Sequence, residues 1–145
     1  MAYMVYQRYT TAVKRAYRAR SDAAAQAANI AATTLYTVPA SGAGMYRVSF
    51  YAVITQAATT SSTLPFGQIV YTDNDTSLTN TATFTNTNTA NAVGSVAALF
   101  TGGGSMPVLN VKPGTIIQYQ TTSYASTGAT PMQYAVHIKL EYLGN

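Results

Sequence analysis

The stretch that most constrains the fold is PMQYAVHIKLEYL, at residues 131–143, because its apolar and polar side chains alternate. Apolar side chains occupy every second position: Met132, Tyr134, Val136, Ile138, Leu140 and Tyr142. The positions between them hold Gln133, Ala135, His137, Lys139 and Glu141. A period of two residues is the period of a β-strand. The pattern therefore predicts a long strand with one face in a core and the other toward solvent or a partner.

A second long stretch, MYRVSFYAVIT at residues 45–55, repeats this alternation. One face holds Tyr46, Val48, Phe50, Ala52 and Ile54. The other face holds Arg47, Ser49, Tyr51, Val53 and Thr55. Two long half-buried strands are typical of an antiparallel sheet that covers a core on one side.

Six shorter stretches are also predicted as strands: residues 33–38, 66–72, 77–85, 93–100, 106–112 and 115–122. The sequences PASGAG, TGGGS and STGATP separate strands as loops, and KPGT fits a type II turn with Gly114 after Pro113. Eight short strands in one domain, residues 32–145, predict an all-β fold. The predicted architecture is an antiparallel eight-stranded jelly-roll sandwich.

Residues 1–31 differ from the rest of the chain and are called the N-terminal arm. The arm is rich in Ala, Tyr and Arg and contains no Gly or Pro. Its alanines favour helix, and Ser21 and Asp22 are possible helix caps. The like charges of Lys14 and Arg18, four residues apart, oppose an isolated helix. We therefore expect an arm that is partly helical or extended and that becomes ordered only against a partner.

Positive charge is concentrated in the N-terminal arm. Five of the eight Lys and Arg residues lie in the first twenty positions, with no acidic residue among them: Arg8, Lys14, Arg15, Arg18 and Arg20. Residues 21–145 carry three basic and four acidic residues, a net charge of −1. Soluble monomers usually have a more charged surface. The nearly neutral body indicates a protein that neighbours cover, or one kept soluble by Thr, Ser, Asn and Gln.

Candidate catalytic and metal-binding residues are few. His137 is the single histidine, and the absence of cysteine excludes a thiolate zinc site and a cysteine nucleophile. Asp73 and Asp75 in TDND predict an Asx-type turn rather than a cation site. TGGGS lacks the Lys and Ser or Thr of a phosphate-binding loop. We therefore expect a protein that is not an enzyme and has no cofactor or metal.

No stretch of the sequence approaches 18 consecutive apolar residues, and no apolar segment of signal-peptide type follows the N-terminal charges. We therefore expect neither a membrane span nor a secretory signal.

The arm combines basic and aromatic side chains, which favours binding. The candidate partner-binding residues are Tyr3, Tyr6, Arg8, Tyr9, Lys14, Arg15, Tyr17, Arg18 and Arg20. Tyr and Arg are enriched at protein interfaces, so docking on an acidic protein surface is the favoured interpretation. The same residues also suit phosphates and stacked bases, or a membrane surface. A solvated tail is a further alternative, which the tyrosines disfavour.

Several motifs resemble small β-sandwich proteins of tailed bacteriophage virions. They are the TLYTVP start, a Gly before the strand YRVS, the turn and strand PGTIIQY, and the final GATPMQYAVHIKLE. The similarity covers most of residues 32–143 and extends to the trimeric jelly rolls of C1q and TNF type. No residue of the arm matches a motif of these families.

The resemblance implies a structural role in a phage particle. It implies a capsid decoration (cement) protein, a homo-oligomer with a trimer favoured, whose partner is the major capsid protein or another virion protein. The expected location is the outside of the capsid, after synthesis in the host cytoplasm. Two alternatives remain open. One is a head-fibre or tail-fibre component that contacts the host surface, and the other is a nucleic-acid-binding protein that acts through the arm.

Overall fold

A computed structural model describes residues 16–84, 99–101 and 107–144 of the chain. These residues form eleven β-strands and no helix, and every pairing between the strands is antiparallel. The prediction of an all-β antiparallel fold is therefore confirmed. The strands are β1 (Ala16–Gln26), β2 (Thr33–Thr37), β3 (Gly44–Gln56), β4 (Ser61–Thr63), β5 (Phe66–Thr72), β6 (Thr79–Phe84), β7 (Leu99–Thr101), β8 (Val108–Val111), β9 (Ile116–Thr122), β10 (Ala125–Thr127) and β11 (Gln133–Gly144).

The strands form two main sheets. Sheet A has the order β1-β11-β3, and the far side of β3 pairs first with β8 and then, further along, with β7. Sheet B has the order β2-β9-β5-β6. The short strands β4 and β10 pair only with each other. The arrangement is sandwich-like, because the inner faces of sheets A and B share one apolar core.

The two long alternating stretches are strands, as predicted, and they lie next to each other in the interior of sheet A. β3 and β11 pair along almost their whole length, for example Phe50 with Ile138 and Val48 with Leu140. The alternate positions predicted for the core are buried in both strands, from Tyr46 to Ile54 in β3 and from Met132 to Leu140 just before and within β11.

Sheet B covers this surface with its own alternate residues, which include Ile69, Ile117 and Tyr119. Phe50 of sheet A contacts sheet B, where its ring stacks on Phe84 with 5.0 Å between the centroids. Gly67 of β5 lies directly over the Phe50 ring, and a Cβ there would be 2.7 Å from Cε1 of Phe50. Only glycine allows this contact.

The helical alternative for the Ala-rich part of the arm is wrong for residues 16–26, which form a β-strand with an irregularity between Ala23 and Gln26, where Ala25 has φ of 52°. They form β1 and pair with β11 from Ala16, opposite Tyr142, to Gln26, opposite Tyr134. Helix propensity is a weak preference, and tertiary pairing overrides it here. Ser21, predicted as a helix cap, instead donates from Oγ to Oη of Tyr119, 2.9 Å away across the core. The partner that orders this segment is therefore a strand of the same chain.

The chain between β1 and β2 is tied to the core by a chain of hydrogen bonds. The amide of Ile30 donates to Oγ1 of Thr121 at 2.7 Å, and the hydroxyl of Thr121 lies 2.9 Å from that of Tyr134. The Tyr134 hydroxyl donates to the carbonyl of Ala28 at 2.8 Å. A hydroxyl has one hydrogen, and that of Tyr134 is donated to the Ala28 carbonyl. In the contact between the two hydroxyls, Thr121 is therefore the donor and Tyr134 the acceptor. Both hydroxyls thus have hydrogen-bond partners.

The shorter predicted strands agree with the structure to differing degrees. The predictions for residues 66–72 and 115–122 match β5 and β9 within one residue. Of the stretch 93–100, only β7 at its end falls within the described residues, and most of the loop TGGGS lies outside them. The strands β4 and β10 were not predicted, and β10 occupies part of the expected loop STGATP. Gly114 has φ of 74°, which the predicted type II turn requires.

Candidate docking surface

The structure places three of the nine predicted partner-binding residues. Tyr17, Arg18 and Arg20 lie at the beginning of β1, which is the edge strand of sheet A within the described part of the chain. The other six lie outside the described residues: Tyr3, Tyr6, Arg8, Tyr9, Lys14 and Arg15. The basic segment therefore leads directly into one edge of sheet A.

Arg18 packs on aromatic rings at this edge. Its Cζ lies 4.9 Å from the ring centroid of Tyr142, which contacts Tyr46, which in turn contacts Tyr36. A guanidinium over an aromatic face is stabilised by the ring quadrupole. Tyr17 is more than half exposed, at 54%. Arg18 is therefore held against the sandwich, whereas Tyr17 presents its ring to solvent.

The outer face of sheet A, which points away from the core, carries most of the described charged side chains. The register sets Arg20 of β1 beside Lys139 of β11, and Lys139 beside Ser49 of β3. Two residues along β11 in one direction, His137 lies between Asp22 of β1 and Tyr51 of β3. Two residues along β11 in the other direction, Glu141 lies beside Arg47 of β3. Residues opposite one another in neighbouring strands share a face. Six titratable or permanently charged groups thus form one patch from three separate parts of the sequence.

One cluster in this patch joins β1 to β11. Nδ1 of His137 lies 2.6 Å from Oδ1 of Asp22, and Nε of Arg20 lies 2.6 Å from Oδ2 of the same carboxylate. The hydrogen bond from His137, and then that from Arg20, lower the pKa of Asp22 below its ordinary value. The ring of Tyr51 lies beside that of His137, with 5.7 Å between centroids.

A second cluster joins β11 to β3. Both Nε and Nη2 of Arg47 donate to Oε2 of Glu141, the Nε contact being 3.0 Å, and Nζ of Lys139 lies 2.9 Å from Oε1. The hydrogen bonds from Arg47, and then from Lys139, lower the pKa of Glu141 to about 2. This carboxylate therefore stays ionised at any physiological pH.

A shallow groove of about 270 Å³ crosses the patch. It follows the row of Arg20, Lys139 and Ser49, and the row of His137 and Tyr51 borders it. Ser49 is small and stands in β3 between Arg47 and Tyr51, which have long side chains. The depression is therefore a consequence of side-chain size in the middle strand.

The outer face of sheet B has the opposite character. The strands β2, β9, β5 and β6 contain no Asp, Glu, Lys or Arg. Their outward side chains bond to one another through neutral groups: Nε2 of Gln120 donates to Oε1 of Gln68 at 2.7 Å, and Gln68 donates to Thr83 at 3.3 Å. This face offers hydrogen bonding without charge.

The remaining described charges lie in the turn between β5 and β6 and beside it. Oδ1 of Asp73 accepts from the amides of Asp75 and Thr76 and from the Thr76 hydroxyl, which confirms the predicted Asx-type turn. These bonds, with the Thr76 amide foremost, lower the pKa of Asp73. Lys112 donates to Ser77 nearby. Since Asp73, Asp75 and Lys112 together contribute −1, the whole positive excess of the chain belongs to the arm and the outer face of sheet A.

The patch does not have the geometry of a metal centre. In residues 16–84, 99–101 and 107–144, no three His, Asp or Glu side chains come together in a way that would hold a metal ion. His137, predicted to lie on a polar strand face, is on that face and bonded to Asp22. Within the same residues, no helix suited to crossing a membrane is found.

Arg47, Lys139, Asp22 and His137 were not among the predicted binding residues. The signal was present in the alternation, which put Arg47 and Ser49 on one polar face and His137, Lys139 and Glu141 on another. Alternation does not predict the register of the strands, which places the polar faces of β3 and β11 next to each other and next to β1. Comparison with known proteins adds no further assignment: no family model matches the chain, and no curated protein is similar to it.

Proposed function

We propose that this protein is a structural, non-enzymatic component of a tailed bacteriophage particle, and that it decorates the outside of the capsid. The observation that carries the proposal is the order in which the strands pair. That order agrees with the jelly roll of the virion proteins that residues 32–143 resemble.

The pairing order is nested. β1 pairs with β11, β2 with β9, β3 with β8 and β7, and β5 with β6. We count β7 and β8 as one interrupted strand, because both pair with the same side of β3. We leave out β4 and β10, which pair only with each other. Eight principal strands then remain. They pair first with eighth, second with seventh, third with sixth and fourth with fifth. A long antiparallel hairpin rolled up into two sheets has this order, which supports a jelly roll.

The distribution of charge supports a protein that works in an assembly. Sheet B has an uncharged outer face of Gln and Thr side chains, which a neighbouring subunit can cover without burying a charge. We propose a homo-oligomer, with a trimer favoured, on a lattice made by the major capsid protein or another virion protein. The protein is made in the host cytoplasm and functions on the capsid exterior.

Attachment in this proposal is mechanical. The arm lies over a neighbouring acidic surface and contributes ionic contacts through Arg8, Lys14, Arg15, Arg18 and Arg20. Each exposed ion pair is worth only about 0–1 kcal/mol. Several contacts made by one subunit, and several subunits joined in one oligomer, hold the protein in place by raising the effective concentration of each contact.

The test is a loading assay on capsids that lack the protein. A chain without residues 1–15 keeps all of β1, because β1 begins at Ala16. We expect this truncated chain to fold normally and to load poorly. The matched control is Lys112→Gln, which removes one cation far from the arm and should load normally. Normal loading of the truncated chain would contradict attachment through the arm.

A further inference from the structure

We propose that the outer face of sheet A is a second part of the docking surface, and that its groove at Ser49 receives a carboxylate side chain from an acidic segment of the capsid partner. This inference rests on the proposed function, in which the arm docks on an acidic protein surface. It adds Lys139 and Ser49 of the sandwich, and it gives Arg20 of the arm a defined place in the contact.

Charge supports an acidic occupant. The patch holds three permanent cations, Arg20, Arg47 and Lys139, but only two carboxylates, Asp22 and Glu141. Arg47 is bound by Glu141 through two nitrogens and is only 26% exposed, so it is committed to that pair. The cations that border the groove are more accessible, since Arg20 is 60% and Lys139 50% exposed. A further carboxylate would balance the patch.

The bonds that these two cations already make leave them able to bind a second anion. Asp22 contacts Nε of Arg20, and a guanidinium carries additional N–H donors on its two terminal nitrogens. Glu141 contacts Nζ of Lys139, and an ammonium carries three donors. Exposed ion pairs are weak, so shifting them to share an incoming carboxylate costs little.

Shape supports a side chain rather than a flat contact. The groove is open and about 270 Å³ in volume, which is large enough for one carboxylate side chain with its apolar stem. The rings of Tyr51 and His137 border it, so the stem can lie against aromatic surface while the carboxylate reaches Arg20 and Lys139.

The position of the groove connects it to the arm. The segment of residues 1–15 joins β1 at Ala16, and Arg20 is four residues further along the same strand. At a rise of about 3.3 Å per residue, Arg20 at the groove lies about 13 Å along β1 from Ala16, the residue that follows the segment of residues 1–15. One acidic segment of a partner can therefore contact the arm and the groove together.

The experiment uses the full chain and a short peptide of alternating Glu and Gly as the probe. Backbone amide NMR shifts are followed during titration with the peptide, with a Gln-Gly peptide as the neutral control. We expect shifts at Ser49, Tyr51, His137 and Lys139, and no comparable response to the neutral peptide. Ser49→Trp fills the groove without changing charge and should weaken peptide binding by about tenfold. Thr81→Trp, on the outer face of sheet B, is the matched control and should have no effect.

A second variant tests the groove independently, in case Ser49→Trp does not fold. The double substitution Arg20→Gln with Lys139→Gln removes both cations, introduces no bulk and should also weaken binding about tenfold. If both groove variants bind the peptide like the unaltered chain, the groove proposal is wrong. It is also wrong if single-stranded DNA of equal charge shifts the same groove amides more strongly than the peptide.

Loading on capsids separates this inference from the proposed function. If Ser49→Trp loads normally while the chain without residues 1–15 does not, the groove proposal falls and attachment through the arm stands. If the unaltered chain does not load on any capsid, the proposed function falls, whatever the peptide shows.

Discussion

Nδ1 of His137 on β11 lies 2.6 Å from Oδ1 of Asp22 on β1, a hydrogen bond between residues 115 positions apart in the sequence. An ionised carboxylate only accepts hydrogen bonds, which assigns the donating hydrogen to Nδ1 of His137. The bond, together with the backbone pairing, attaches the edge strand to the centre of sheet A. The side-chain part of this attachment therefore depends on the protonation of Asp22, in addition to the backbone pairing.

The first prediction concerns pH. The pKa of Asp22 is lowered in the folded chain, chiefly by His137 and then by Arg20. Its stabilising contribution is therefore present at pH above its ordinary value of 3.8, and is lost as the pH falls through the lowered pKa. We expect the protection factors of amides in β1, taken relative to the intrinsic exchange rate at each pH, to fall at acid pH before those in β3 do. In Asp22→Asn, protection of β1 should be lower already at neutral pH and should lose this acid dependence. Equal protection of β1 in both proteins would contradict the role of Asp22.

The second prediction concerns Glu141, whose pKa is lowered to about 2 by Arg47 and then Lys139. A lowered folded pKa stabilises the fold at pH above the ordinary glutamate value of 4.5, and the effect disappears as the pH falls toward 2. Glu141→Gln should therefore unfold at lower denaturant concentration at neutral pH, and the difference should shrink as the pH falls from 4.5 toward 2. Arg47→Gln should cost more than Lys139→Gln, because Arg47 is the larger cause and the more buried partner. If the difference in stability between Glu141→Gln and the unaltered chain were the same at all pH values, the ionised Glu141 carboxylate would not be its cause.

The third prediction tests the contact between the sheets. Gly67→Ala places a methyl group inside the contact distance of the Phe50 ring, which stacks on Phe84. Overpacking of this kind costs about 1–3 kcal/mol of unfolding free energy. In a chain that also carries Phe50→Leu, the ring is gone and Gly67→Ala should cost less. A double-mutant cycle by denaturant unfolding measures this coupling. Purely additive effects would mean that the two residues do not meet.

The fourth prediction tests the hydrogen-bond chain behind the edge strand. Thr121→Val keeps the shape but removes the hydroxyl that links the amide of Ile30 to Tyr134. Leaving such a buried group unsatisfied costs about 1–3 kcal/mol. The amide of Ile30 should lose protection from exchange. Thr122→Val, one residue along on the opposite face of β9, is the matched control and should leave both stability and that amide unchanged. Unaltered protection of Ile30 in Thr121→Val would refute the assignment of this bond.

Alternation predicted the centre of the fold because it records burial directly. Tyr134, Val136 and Ile138 are buried, whereas His137 and Lys139 are exposed, as their spacing predicts. β1 was missed because its residues carry the opposite local signal. Ala23, Ala24 and Ala25 favour helix, but Ala23 pairs with Val136 of β11, and the next two residues form an irregularity in which Ala25 has φ of 52°.

The charged patch on the outer face of sheet A could be predicted only in part, for a similar reason. The charges of Arg18 and Arg20 were visible because they lie close together in the sequence. The approach of Arg47 to Glu141 depends on the register of two strands that are 94 positions apart, and the groove depends on Ser49 standing next to Lys139 in that register. Long-range register follows from the packing of the whole sandwich and is not encoded in any local pattern.

Under the proposed function the chain is part of a tailed-phage particle, and the measurement that tests this claim most directly is its amount in purified particles, determined by quantitative mass spectrometry against the major capsid protein. A decoration protein that covers the lattice should be present in a fixed and high ratio to the capsid protein. The ratio should fall sharply when residues 1–15 are deleted. A chain that is absent from the particle, or present only in the few copies that a fibre needs, would contradict capsid decoration.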